Sequence, residues 1–244
     1  MRAPLLPATR HRIFFRAALR ARGSTAPILA AFLLSLSCAA QAQVSASLSL
    51  VSDYAARGLS LSEGRPAAQL RVDVDSPSGW YAGGFLSSAS LPYSPARAQL
   101  IAYAGYARRT ASGLSWDAGI ARTTFARDAR YRYDELHAGL GWERGSLRAY
   151  VSPHYYGAGR SAYLEWNGVH PLGERWRLVG HLGVLRRFGG YGAAAGPARA
   201  DLRLGLAYGA GPATLQLAWL ARQRDPAAAV PRARALAASI GLAF

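Results

Sequence analysis

Arginine, carboxylates and histidine carry whatever chemistry this chain has, because it contains no lysine and a single cysteine. Between Ser52 and Ala67 the stretch SDYAARGLSLSEGRPA gathers Asp53, Arg57, Glu63 and Arg65 into a knot of charge flanked by Gly58 and Gly64. Glycine lets a backbone turn sharply. Arg57 can therefore fold back toward Asp53, or toward any opening the segment borders, as a latch or constriction; the plainer alternative is an exposed turn. Further along, Glu135, His154, Glu165 and His181 form two carboxylate–imidazole pairs, 135 with 154 and 165 with 181, if their segments pair across short turns. A carboxylate beside an imidazole raises its pKa toward a physiological switch, whereas the alternative role is that of ordinary struts. Nothing in the spacing makes His137, His154 and His181 converge on a metal, and no cofactor is expected. There is no G-x-S-x-G elbow, and GGYGAAAG at 189–196 lacks the strand-then-helix context of a phosphate loop. The chain reads as a non-enzyme.

The elements that must position these groups are strands. From residue 43 onward the dominant signal is alternation at period two, in twelve segments: 44–54, 65–75, 80–88, 98–109, 114–125, 133–142, 146–156, 161–170, 176–186, 201–208, 213–221 and 233–244. Most are about 10 residues long, the length of a tilted membrane-spanning strand. Connectors alternate short and long, and short periplasmic turns with longer outer loops mark an outer-membrane barrel. The expected fold is all-β, a transmembrane antiparallel up-and-down β-barrel of twelve strands over 43–244. An arginine at mid-bilayer on the lipid face costs about 2–4 kcal/mol, and the central apolar-face positions, among them Leu100, Ile120, Leu140, Leu182 and Leu217, are uncharged. The opposite face carries the lumen candidates Arg71, Asp73, Asp117, Glu135, Arg148, His154, Glu165, Arg177, His181 and Arg203. The faces of 80–88 cannot be told apart by pattern. Trp80, Tyr106, Trp116, Trp142, Trp176, Tyr208 and Phe244 all fall at periplasmic strand ends, as an aromatic girdle requires.

Residues 1–42 read as a secretory signal peptide. Arg2 to Arg22 carry six arginines and no acid, the apolar run 26–38 is too short to span a bilayer, and Ala40-Gln41-Ala42 is a small-x-small cleavage site. Cys38 raises a lipid anchor as the alternative. The remaining 202 residues hold 23 arginines against 13 acids. Such an excess suits phosphate partners, and in an exported chain these are outer-leaflet lipopolysaccharide phosphates or anionic solutes rather than nucleic acid. The final strand, RALAASIGLAF, ends on Phe244, an aromatic terminus of the kind by which barrel-assembly machinery recognises its clients.

Ser52-Asp53-Tyr54, Arg57-Gly58, Ser60, Gly64 and Pro66-Ala67 resemble the amino-terminal signature of the TorF-type porin family. The likeness continues through Gly79-Trp80-Tyr81-Ala82-Gly83, Trp116-Asp117-Ala118-Gly119 and Tyr133-Asp134-Glu135-Leu136. The resemblance implies a small outer-membrane porin. Twelve strands lie between barrels just wide enough for side chains and those with an open channel, so the expected function is passive diffusion of small hydrophilic solutes, with a mild preference for anions. Two alternatives stand beside it: a non-conducting structural or adhesive barrel, and a lipid-modifying barrel enzyme.

Overall fold

A computed structural model describes residues 42–190, 193–222 and 234–244. The expected signal peptide, apart from Ala42, lies outside the described residues, and so does Cys38. The chain forms twelve long antiparallel strands: β1 (Gln43–Val51), β2 (Ala67–Asp75), β3 (Trp80–Ser88), β4 (Ala98–Arg109), β5 (Ser115–Phe125), β6 (Tyr133–Trp142), β7 (Gly145–Ser152), β8 (Arg160–Pro171), β9 (Trp176–Gly190), β10 (Arg199–Ala210), β11 (Ala213–Arg222) and β12 (Arg234–Ala243). Each pairs with its sequence neighbours, and β1 pairs with β12, so the sheet closes on itself and has no free edge. A three-residue strand, Ala193–Ala195, adds to the far end of β9. Pairing at closure sets Leu48 opposite Leu242 and Ser49 opposite Gly241, which matches apolar with apolar and small with small. A slip of one residue would turn every side chain of β1 to the other face.

Alternation decides which face is which. Leu48, Leu50, Val72, Leu100, Ile120, Leu140, Leu164, Leu182, Leu204, Leu217 and Ile240 stand outward and exposed. Their polar neighbours along each strand turn inward. Strand β3 is assigned by its aromatics: Trp80, Ala82 and Leu86 point out, while Tyr81 and Phe85 point in. Two inward rings on one strand mimic an outward apolar face, which is why the pattern alone is ambiguous there.

One rim of the barrel carries the short turns, the other the longer loops. At the turn rim Trp80 packs against Tyr106 (ring centroids 5.3 Å), Tyr106 against Trp116 (5.9 Å) and Trp176 against Tyr208 (4.9 Å), and Trp142 and Phe244 are exposed at the same level. The buried hydrophobic core lies inside the opposite, loop-rim end. There Ala96, Phe125, Tyr133, Tyr155, Tyr163 and Leu185 cluster, with Leu91, Tyr131, Tyr150 and Tyr156 against them. Several boundaries shift from the sequence expectation, β9 running on to Gly190, and two strands stop three or more residues short of it. Strand β1 ends at Val51, three residues early, because Ser52 to Ser62 folds as a separate unit. Strand β7 ends at Ser152 because Pro153 lacks the N–H a ladder needs, and the chain then turns through a 3-10 segment, Tyr155–Gly157.

Candidate functional site: a tethered arginine in a tyrosine cage

The loop from β1 to β2 builds a miniature hairpin. Ala55–Ala56 pairs with Leu59–Ser60 about a two-residue turn in which Arg57 (φ +49°) and Gly58 (φ +72°) are both left-handed. Positive φ at both central residues defines the type I′ turn, whose twist matches paired strands and whose usual residues are Asn, Asp and Gly. The base of the hairpin is locked. Ser60 and Ser62 hydroxyls donate to Asp53 (2.5 and 3.0 Å), Ser62 Oγ accepts the Tyr54 N–H (2.9 Å), and the Tyr54 hydroxyl donates to Gln99 on β4 (2.6 Å). Burial pushes the Tyr54 phenol pKa up, so it remains a donor. Leu61 is buried beneath, and Glu63 and Arg65 pair at the rim (2.6 Å) beside Ser90.

Arg57, at the tip, reaches the wall formed by β6, β7 and β8. Its two terminal nitrogens donate to the two carboxylate oxygens of Glu135 on β6, at 2.7 and 2.8 Å. The guanidinium carbon lies 4.5 Å from the Tyr163 ring centre, 5.0 Å from Tyr150 and 5.3 Å from Tyr155, all within cation–π range. Side-chain exposure is 14% for Arg57 and 6% for Glu135. Burial works against the arginine's charge, but the surrounding oxygen groups, Tyr155 first and then Glu135, more than offset it and raise its pKa further. Burial likewise raises the phenols of Tyr155 and Tyr156, which stay neutral.

Deeper in, the wall is a set of small networks. Asp117 accepts from Arg148 (2.8 Å) and from the Tyr81 hydroxyl (3.2 Å), and Tyr81 shares a hydrogen bond with His137 Nε2 (2.7 Å). Asp73 is bonded by the Tyr103 hydroxyl, which also accepts from Arg71 (3.0 Å). His181 sets Nδ1 against Asn167 Oδ1 (2.8 Å) and Nε2 against Asp201 Oδ1 (2.9 Å), and Tyr163 lies 3.1 Å from the same Nε2. Arg203 stands beside His181 in register. Arg177 faces inward near the turn rim, opposite Ala207. All of these groups except Arg177 line a cavity of about 1460 Å³ that also receives the tip of the hairpin.

The two carboxylate–imidazole pairs expected from sequence take other partners. Glu135 is engaged by Arg57, and His154 lies past the end of β7, at the start of the 3-10 turn. Glu165 accepts from Tyr150 (3.1 Å), while Asn167, not Glu165, stands directly opposite His181. A two-residue difference in register separates these arrangements, and it is set by the turns that join β6 to β7 and β8 to β9. Arg57 turns away from Asp53, which the hairpin's serines occupy. Of the arginines in and beside the longer loops, Arg224 and Arg232 fall outside the described residues. Among the others, Arg122 pairs with Asp134 (2.6 and 2.9 Å) on the outward face, and Arg130 pairs with Asp128 (2.8 Å). Sequence reasoning missed the inward tyrosines, although Tyr103, Tyr150 and Tyr163 sit at polar-face parity; Tyr81 lies in the segment whose faces the pattern leaves open.

A family model for bacterial proteins of unknown function, Gcw_chp, matches residues 36–240. The chain belongs to that family. No curated protein matches this member in sequence. Among solved structures, its barrel is similar to the KdgM porin (TM-score 0.52, 9% identity, 82% of this chain and 98% of that one) and to the NanC porin (TM-score 0.51, 10% identity, 83% and 99%). At such identities the likeness is one of fold: a closed antiparallel barrel of the outer-membrane porin type.

Proposed function

We propose that this Gcw_chp protein is an outer-membrane channel for passive diffusion of small hydrophilic solutes, narrowed at its loop-side mouth by Arg57. The observation that carries the reading is the cavity itself. It is lined by charged and hydroxyl side chains along the barrel wall, and at its mouth a side chain delivered on a loop, Arg57, packs against the aromatic cluster of the wall. An outward belt of Leu, Val and Ile is far larger than the apolar patch a protein shows to water, and a tryptophan–tyrosine rim borders it at the turn end. Both features suit a lipid bilayer, and the likeness to TorF-type porins points the same way. A leader at 1–42, removed on export, would bring the chain there. Phe244, exposed at the turn rim with its backbone paired to Ala46, would serve the barrel-assembly machinery. The outward loop-rim arginines Arg122 and Arg186 would meet lipopolysaccharide phosphates.

A mild preference for anions is the finer proposal. Asp117 neutralises Arg148, and Glu135 neutralises Arg57, whereas Arg177 and Arg203 have no carboxylate within ion-pair distance among the described residues. A reversal potential on the cation side in a salt gradient would remove that preference and leave the channel. The second reading, a non-conducting barrel, is favoured by one observation: Tyr155 and Tyr156 fill part of the mouth. Single-channel recording of the purified, heat-modifiable protein in planar bilayers separates the two. Small steps in the wild type that grow in Arg57→Ala are expected. Silence in both proteins would establish the non-conducting barrel, and cleavage of added phospholipid would move the protein among the barrel enzymes.

A further inference from the structure

The group that narrows the mouth and the site that holds it come from different parts of the barrel. Glu135, Tyr150 and Tyr163 belong to the wall of β6 to β8, and Tyr155 to the loop that joins β7 to β8. Arg57 arrives from the loop between β1 and β2. Its hairpin is anchored at the base by Asp53, Ser60, Ser62 and Tyr54, and its tip is hydrogen-bonded to the far wall through the guanidinium. The turn is also a poor place for arginine, since the left-handed conformation at Arg57 favours Gly, Asn or Asp. A side chain held where its backbone is disfavoured points to a role for the side chain.

From this we infer that Glu135, Tyr150, Tyr155 and Tyr163 form a receptor site for guanidinium-bearing solutes, and that Arg57 is its tethered competitor. The chemistry of the cage is specific. A carboxylate that accepts two parallel N–H bonds matches a planar fork and not an ammonium point charge, while three ring faces attract the same delocalised cation. A guanidinium compound entering from the loop side would exchange with Arg57 and release the tip, so occupancy of the cage and opening of the mouth are one event. The opening half of this inference rests on the channel reading above; the binding half does not. The locked hairpin holds Arg57 in place, so its effective concentration exceeds the millimolar value of a short flexible linker, and a free ligand competes in the wild type only at higher concentration than in a variant lacking the guanidinium. In a protein lacking the Arg57 guanidinium the cage is vacant and should bind outright.

Methylguanidinium is the probe, and thermal melting of the folded, heat-modifiable barrel in detergent is the primary readout. For a site of about millimolar affinity, about 10 mM methylguanidinium should raise the Tm of Arg57→Ala by about 3–6 °C, with less effect on the wild type. Arg57→Gln, which keeps a polar side chain of similar reach, is measured alongside in case the alanine variant folds poorly. Methylammonium at the same concentration should give a smaller shift, and Arg57→Ala with Glu135→Gln should give none. In bilayers, methylguanidinium at a concentration high enough to displace the tether should raise the conductance of the wild type toward that of Arg57→Ala. A Tm shift without any conductance would keep the cage and discard the channel. No shift in either Arg57 variant, or a shift that survives Glu135→Gln, would overturn the receptor site.

Discussion

The Arg57–Glu135 contact can be weighed with a double-mutant cycle built from the wild type, Arg57→Ala, Glu135→Gln and the double variant. Two charge-assisted bonds at 2.7 and 2.8 Å are each worth about 1.5–3 kcal/mol when desolvated. Three cation–π contacts add about 0.5–1 kcal/mol each in exposed settings. Breaking a fully buried ion pair by removing one partner costs about 3–5 kcal/mol, because the other charge is stranded. Here the pair faces a cavity able to admit water, which discounts that figure, and the cycle subtracts the stranding cost from each single variant. A coupling energy of about 2–4 kcal/mol is therefore expected, measured by urea unfolding from lipid vesicles with tryptophan fluorescence. The exposed pair Arg122–Asp134, with 68% and 56% side-chain exposure, is also bidentate, through Nε and one terminal nitrogen, and serves as the internal reference. It should couple far more weakly, since solvent screens exposed pairs. A coupling below about 0.5 kcal/mol for Arg57–Glu135, in the range of surface pairs, would refute the claim that the latch is held by its cage.

Three further outcomes follow from the geometry. A Cβ on Gly183 would collide with the Tyr163 hydroxyl and lie 2.7 Å from Asp201 Oδ2. Gly183→Ala should thus displace a ring of the cage, cost about 1–3 kcal/mol in unfolding and raise conductance in the same direction as Arg57→Ala; unchanged conductance would separate Tyr163 from the latch. Ile120→Arg places a charge on the outward face at mid-strand and should cost about 2–4 kcal/mol in lipid, whereas a negligible loss would argue against that face meeting hydrocarbon. The Arg130 guanidinium and the Ser94 hydroxyl hold the Asp128 carboxyl well below the ordinary carboxylate range. Because the folded pKa is depressed, the stabilisation is fully present above about pH 4, the unfolded value, and is lost as pH falls through the folded one. Asp128→Asn, which lacks the carboxylate at every pH, should make this loop as susceptible to limited proteolysis at neutral pH as it is in acid in the wild type, and should remove that pH dependence.

Much of the barrel was legible from period-two alternation, because a face that must meet an apolar medium admits few charges and a strand has only two faces. The eleven segments whose faces the pattern assigns keep them in the structure, and the alternation of short and long connectors gives the up-and-down order. The exception, 80–88, fails for a physical reason: Tyr81 and Phe85 are apolar by composition yet turn inward, where a hydroxyl finds Asp117 and a ring finds Tyr54. The same blindness hid Tyr150 and Tyr163, since counting hydrophobic residues does not register that a phenol can line a polar wall. Strand ends were less legible still, and Pro153 moved His154 out of the lumen.

Sequence by itself determined the strands, their faces and the charge carried inside, because these depend on neighbours along one chain. That Arg57 sits in a turn beside glycine was also readable. Where its guanidinium goes was not. Asp53 is four residues away and Glu135 is 78, and local proximity favours the former. The closed barrel brings the β6 to β8 wall within reach of the β1–β2 loop, and the serines at positions 60 and 62 have already satisfied Asp53. Only the tertiary structure could assign Arg57 to Glu135 and to the three tyrosine rings around its guanidinium.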